Sequence, residues 1–173
     1  MKKLLIITTL FLSNLTFSQQ KKQFIIEHCI DKMTEREYFL TQKKLICANT
    51  QKTKGFTITP QFNYEDGNIV PNGFICKNAN IGNCDEKDDL IFLFEDDTKL
   101  TLTSWNDFNC DGNAYFSFDK DDLNYLSTKK ITDIRFSNGY SYESYTYTFK
   151  QAEKDYFINA YTNYKVIEID CSK

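Results

Sequence analysis

From Cys84 to Cys110 the chain reads CDEKDDLIFLFEDDTKLTLTSWNDFNC. Two apolar runs, Leu90 to Phe94 and Leu100 to Trp105, flank the polar stretch Glu95-Asp96-Asp97-Thr98. Apolar runs on either side of a polar turn predict a β-hairpin. The two cysteines are equidistant from Asp97. Residues equidistant from a regular turn face each other at a separation that a disulfide spans. The spacing therefore predicts a Cys84–Cys110 bridge across the open end of the hairpin. Closing a loop of that length stabilises a fold by about 3.5 kcal/mol in the chain-entropy model.

On the N-terminal side of this hairpin, Phe24 to Ile30, Lys44 to Ala48 and Phe74 to Asn78 read as strands. Asp31 to Thr41 reads as irregular and charged, with Met33-Thr34-Glu35-Arg36 opening a short helix or a loop. Phe56, Ile58, Pro60 and Phe62 alternate with polar residues, and the proline marks an edge strand. Glu65-Asp66-Gly67-Asn68 and Val70-Pro71-Asn72-Gly73 read as turns. On the C-terminal side, Ala114, Phe116 and Phe118 share a strand face, and Asp119 caps a short helix to Leu126. Thr132 to Phe136 and Tyr142 to Phe149 read as strands joined by the hairpin turn Ser137-Asn138-Gly139-Tyr140. Ala152, Tyr156, Phe157, Ala160, Tyr161 and Tyr164 recur at helical spacing, which predicts an amphipathic helix of about three to four turns. Val166 to Ile169 closes the chain as a strand.

These elements predict an α+β fold. Seven or eight short, mainly antiparallel strands carry one C-terminal amphipathic helix packed on the sheet. A β-sandwich or half-open barrel is the alternative.

The chain has 173 residues, the length of one domain. Lys2-Lys3, the apolar run Leu4 to Leu12 and Thr16-Phe17-Ser18 have the order of a secretory signal peptide cleaved after Ser18. The expected organisation is a signal peptide over 1–18 and one disulfide-bonded domain over 19–173. Export to the periplasm or the extracellular space follows, without membrane insertion, because no apolar run is long enough to span a bilayer. Removing Lys2 and Lys3 takes the formal charge from -3 to -5. A mildly acidic chain is a poor partner for nucleic acid or an anionic membrane surface.

Six cysteines in an exported chain read as disulfides. With Cys84–Cys110 assigned, the other four cysteines can pair in three ways, and the expectation chosen is Cys47–Cys76, each within an expected strand, with Cys29–Cys171 tying the chain ends. Full pairing leaves no thiolate for nucleophilic chemistry. The single histidine, His28, is too little for a hydrolytic triad or most zinc sites, so a structural or surface role is expected.

Asp107, Asn109, Asp111 and Asn113, with Gly112, have the alternating oxygens that open a calcium loop. Phe118 stands where that loop needs an acid, and Asp119 follows one place late. The plain alternative is an Asn/Asp/Gly turn. Tyr142, Tyr145, Tyr147 and Trp105 are candidate binding aromatics, able to stack on sugar rings or to face a protein. Alternation places Tyr145 and Tyr147 on one face and Tyr142 on the other, and core packing is the bland reading of either face.

The signal ending in Ser18-Gln19, the Asn/Lys/Ile-rich composition, the stretch Asp89 to Leu100 and Lys130-Ile131-Thr132-Asp133-Ile134-Arg135-Phe136 resemble small exported proteins of Bacteroidota. That resemblance implies export and carries no catalytic residue and no cofactor. The expected function is a non-enzymatic binding module for a protein or a glycan, of inhibitor or immunity type. The alternatives are a secreted hydrolase using a carboxylate pair and a calcium-stabilised structural module. An exposed aromatic patch without a deep cleft favours binding, and a cleft holding two carboxylates favours the hydrolase.

Overall fold

A computed structural model describes residues 23–81, 87–105 and 113–171. The fold is mainly β, and the described residues form eleven strands in three sheets and two short helices. The strands are β1 (Phe24–Asp31), β2 (Arg36–Thr41), β3 (Leu45–Ala48), β4 (Gly55–Glu65), β5 (Asn68–Ala79), β6 (Asp89–Phe94), β7 (Lys99–Thr103) and β8 (Asn113–Ser117). Helix α1 (Lys120–Thr128) follows, then β9 (Ile131–Ser137), β10 (Ser144–Thr148), α2 (Tyr156–Thr162) and β11 (Tyr164–Asp170). The expected single sheet with one helix packed on it is therefore corrected.

Three hairpin expectations have different outcomes. The central one forms: β6 pairs with β7, with Leu90 opposite Leu102 and Phe92 opposite Leu100. Its register is centred on Asp96, one residue before the expected Asp97. The turn uses Asp97 at φ 62, and Asp96 Oδ1 accepts from the Thr98 backbone N–H and hydroxyl. At Asp66-Gly67 the turn also forms as expected, with both residues at positive φ between β4 and β5. At Asn138-Gly139 it does not. There a longer loop runs to Glu143, closed by Asn138 N–H donating to the Glu143 carbonyl at 2.8 Å.

One four-stranded sheet has the order β3-β4-β5-β8, and we call it the groove sheet. The other has the order β10-β9-β6-β7, the hairpin sheet. Their apolar faces meet: Phe56 packs on Phe136 at 5.7 Å between ring centroids, and Phe74 on Phe92 at 5.8 Å. Phe157 of α2 contacts Phe74 and Phe92, wedged where the two sheets meet instead of covering one of them. On one side the sheets are joined by Trp105 N–H donating to the Tyr115 carbonyl at 3.0 Å.

A flanking sheet, β11-β1-β2, brings the chain ends together. β1 and β11 pair in parallel, and Cys29 and Cys171 form the expected disulfide with Cα atoms 5.6 Å apart. The bridge closes a sequence separation of 142, worth about 5 kcal/mol in the chain-entropy model.

Several expectations fail for identifiable reasons. Residues 36–41 form a strand, not an irregular segment. β2 is an edge strand exposed along most of its length, so it lacks an alternating apolar pattern. Val70 to Gly73 lies within β5, where a register shift absorbs Asn72 as a bulge. Pro60 sits in a strand that is central over 55–58. β3 ends opposite Ile58, so β4 has an open side at the proline. Only 156–162 of the expected 151–164 helix is helical. The preceding backbone is drawn into other bonds: Glu153 accepts from Lys150 N–H, and the Lys154 carbonyl accepts from Ile131 N–H.

Cys47 and Cys76 are buried free thiols, so the expected bridge between them is corrected. β4 lies between their strands, and two strand spacings, roughly 9.5 Å, exceed disulfide reach. Cys84, Cys110 and the signal peptide lie outside the described residues.

Phe157→Ala is expected to destabilise the fold by roughly 3–5 kcal/mol, whereas Tyr142→Ala, at an 86% exposed position, changes it by less than about 0.5 kcal/mol. Urea unfolding midpoints check both.

Candidate binding groove

Period-two alternation along β4 sends Phe56, Ile58, Pro60 and Phe62 into the core. The same alternation turns Thr57, Thr59 and Gln61 to the opposite face. On β5, Phe74 and Cys76 go inward, leaving Ile75 and Lys77 outward. On β8, Ala114 and Phe116 go inward and Tyr115 outward. Gly73 permits this close pairing, since a Cβ there would lie 2.1 Å from the Phe116 carbonyl oxygen. The outward residues form the floor of an open groove of about 980 Å³.

Strand β2 builds one wall of the groove with Tyr38 and Leu40, which are 44% and 49% exposed. The wall is held by β2 lying beside β4, where the Thr41 hydroxyl donates to the Pro60 carbonyl at 3.5 Å. At the far end, Trp105 packs on Tyr115 at 5.3 Å and remains 62% exposed. Lys44, Lys77 and Glu37 place charge around a floor of hydroxyls and amides. Such a surface offers donors and acceptors to a polyhydroxylated ligand and aromatic faces at its margins.

His28 stacks on Phe39 at 4.9 Å and its Nε2 lies 3.1 Å from Glu37 Oε2. It therefore braces β1 against β2, the structural role expected of it.

The sequence-predicted aromatics separate. Trp105 alone abuts the groove. Tyr142 is exposed on the β9–β10 loop at φ 56. Tyr145 and Tyr147 are half-buried against the core: Tyr145 meets Phe56 edge-on at 6.2 Å, and Tyr147 meets Phe149 at 5.5 Å. The Tyr147 hydroxyl donates to Glu153 Oε2 at 2.8 Å. Burial first, then that carboxylate, holds the phenol protonated well above its usual range. Both tyrosines line a second cleft of about 590 Å³ between β3 and β10.

Of the five candidate calcium ligands, Asn113 and Asp119 lie among the described residues. Asp119 is spent on α1, where Oδ1 accepts from the backbone N–H groups of Asp121 and Asp122 at 2.8 and 2.9 Å. Asn113 begins β8 opposite Lys77. Asp107, Asn109 and Asp111 lie outside the described residues. Among the described residues no cluster of three metal-ligating side chains occurs.

Sequence reasoning missed Asp88. It is fully buried beneath the hairpin ends, where its backbone exchanges bonds with Ser104. Asn138 Nδ2 donates to Asp88 Oδ1 at 2.9 Å and Gly139 N–H at 3.4 Å, which explains why Asn138-Gly139 does not make a tight hairpin turn. Asp88 Oδ2 has no hydrogen-bond partner among the described residues. Burial pushes its pKa up to about 6 against the two donors, which act to lower it. Asp88 lines neither the groove nor the second cleft. The only sequence signal for it was position: a second aspartate at the mouth of the hairpin, next to the solvent-side Asp89.

Between about pH 4 and 6 the native Asp88 keeps a proton that the unfolded chain, at its ordinary 3.8, has released. Stability therefore falls as pH rises through that window, by roughly 2 kcal/mol, and is level above it. Asp96, held down to about 2 by the Lys129 ammonium, acts with the opposite sign, below pH 4. Unfolding midpoints for wild type and Asp88→Asn at pH 4 and 7 check this, and the slope is expected to vanish in the variant. No protein-family model, curated protein or solved structure matches this chain, so its functional reading rests on the geometry of the groove.

Proposed function

We propose that the protein is an exported, non-enzymatic binding module that holds a glycan along the outer face of the groove sheet. The observation that carries this reading is the groove itself. Its floor is Thr57, Thr59 and Gln61, and at one end Tyr115 backs the exposed ring of Trp105. A shallow, open trough with hydroxyl and amide side chains suits a ligand that presents many hydroxyls. An indole face beside it suits the apolar C–H face of a sugar ring. The Cys29–Cys171 disulfide supports an oxidising compartment. Among the described residues no helix is long and apolar enough to cross a membrane.

A protein partner is less suited to this face. The groove floor lacks a contiguous apolar centre, with Ile75 its one aliphatic residue between the polar rows of β4 and β8. The hydrolase reading gains no support from the groove, where Glu37 is the only lining carboxylate among the described residues.

Trp105 is the only tryptophan in the chain, so intrinsic fluorescence reports directly on the groove end. Titration with a panel of neutral oligosaccharides is expected to shift or quench its emission. Trp105→Ala is expected to weaken retention on the responding glycan by about three- to tenfold, the worth of one aromatic contact. Unchanged emission across the panel, with a glycan bound elsewhere or none bound, would refute the assignment. A calcium-stabilised module predicts instead a fall in Tm on chelation, which the same preparation tests.

A further inference from the structure

The two large sheets are joined on one side and open on the other. On the joined side Trp105 N–H reaches the Tyr115 carbonyl. On the open side, β3 of the groove sheet and β10 of the hairpin sheet are edge strands that share a cleft of about 590 Å³. The hydrogen-bond phase of each edge follows from its end bonds. On β10, Phe149 N–H donates to the Thr132 carbonyl and the Glu143 carbonyl accepts from Asn138 N–H. Antiparallel alternation then points the backbone groups of Thr146 and Thr148 away from β9. On β3, Asn49 N–H donates to the Lys54 carbonyl, so the backbone groups of Ile46 and Ala48 point away from β4. These same four residues line the cleft.

The edges also differ from the others in chemistry. β2 carries Arg36 and Glu37, β7 carries Lys99, and β11 carries Lys165, Glu168 and Asp170. Charges of that kind guard an edge against strand addition. β8 is covered by the junction at Trp105. β3 reads Leu-Ile-Cys-Ala and β10 reads Ser-Tyr-Thr-Tyr-Thr, without a charge or a proline.

We propose that the cleft between β3 and β10 is a receptor for one extended peptide strand of a partner protein, distinct from the glycan groove. The cleft of about 590 Å³ has room for an extended backbone, and paired strands lie about 4.8 Å apart, so a strand seated in it can pair with these edges. Backbone bonds to Thr146, Thr148, Ile46 and Ala48 supply affinity, as in β-strand addition generally. Side-chain preference follows from the lining. Tyr145, Tyr147 and exposed Ile46 favour apolar residues at alternate positions. Lys52 and Lys150 at the rim have no carboxylate partner among the described residues, and so favour acidic residues in the peptide. Glu153, also at the rim, is engaged by the Tyr147 hydroxyl and Lys150 N–H.

The test uses the full mature chain and a short blocked peptide of alternating valine and threonine with aspartate at each end. Amide hydrogen exchange is read by NMR with and without peptide. The amides of Ile46, Ala48, Thr146 and Thr148 are expected to slow by roughly tenfold at saturation, while those of Cys47 and Tyr145, already bonded within their sheets, change little. Thr146→Pro removes a cleft-facing N–H and leaves the β9 ladder intact, so peptide affinity is expected to drop by about tenfold. Lys150→Glu, at an exposed position, is expected to weaken the aspartate peptide and not an alanine-ended control. Unchanged exchange at both edges would overturn the proposal. So would protection of the four amides in the free protein that disappears on dilution, which would assign the cleft to a second copy of this chain.

Discussion

The contact of Phe74 with Phe92, closed by Phe157, is the junction on which the other parts of the fold depend. It presses the inward rows of the two four-stranded sheets together. It also fills the space where they meet with an aromatic side chain from a helix of only seven residues. A helix this short is marginal on its own, and its position is set by the side chains it buries, Phe157, Ala160 and Tyr161. Once the inward rows of β4, β5 and β8 are committed to that seam, strand alternation leaves their outward rows no choice of face. The groove is thus a by-product of core packing. Its polar floor is what remains of strands whose other face is needed for the hydrophobic contact.

The same packing gives the molecule two unlike sides. At the joined side the bond from Trp105 N–H to the Tyr115 carbonyl links the sheets, and the Trp105 and Tyr115 rings pack at a tilt beside it. At the open side the half-buried Tyr145 and Tyr147 line the gap, together with the outward-pointing edges of β3 and β10. Between these sides lies Asp88, which ties the mouth of the central hairpin to the β9–β10 loop through Asn138 and Gly139. A buried carboxyl with an unpartnered oxygen costs stability. Here that cost comes with the loop's departure from the tight turn that Asn-Gly otherwise favours.

Much of the local structure was legible in the residues themselves. The β6–β7 hairpin, the turn at Asp66-Gly67, the inward row of β4, the Asp119 cap of α1 and the Cys29–Cys171 tie are all present. The hairpin, the turn and the cap depend on neighbours in the chain, whereas the disulfide followed from an assumed Cys47–Cys76 pairing that the structure does not form. What was not legible depended on distant partners. β2 has no apolar alternation because it is an edge exposed along most of its length. Cys47 and Cys76 lie in strands as expected, yet no local feature shows that β4 runs between them. Trp105 was a candidate from its residue type alone, and the residues that complete the groove, Thr57, Thr59 and Gln61, carried no signal beyond polarity.

The sequence by itself determined most of the strands, the turns at Asp66-Gly67 and Asp96-Asp97, and which face of β4 is apolar, because periodicity and turn chemistry act over a few residues. It also determined the mildly acidic character of the chain and the cysteine set. Only the tertiary structure decided which strands are neighbours, which edges stay open, and that Asp88 meets Asn138 across fifty positions. The physical reason is that sheet partners are chosen by a shared core. Inward side chains of many strands must fill one volume together, and that condition cannot be read from any one segment.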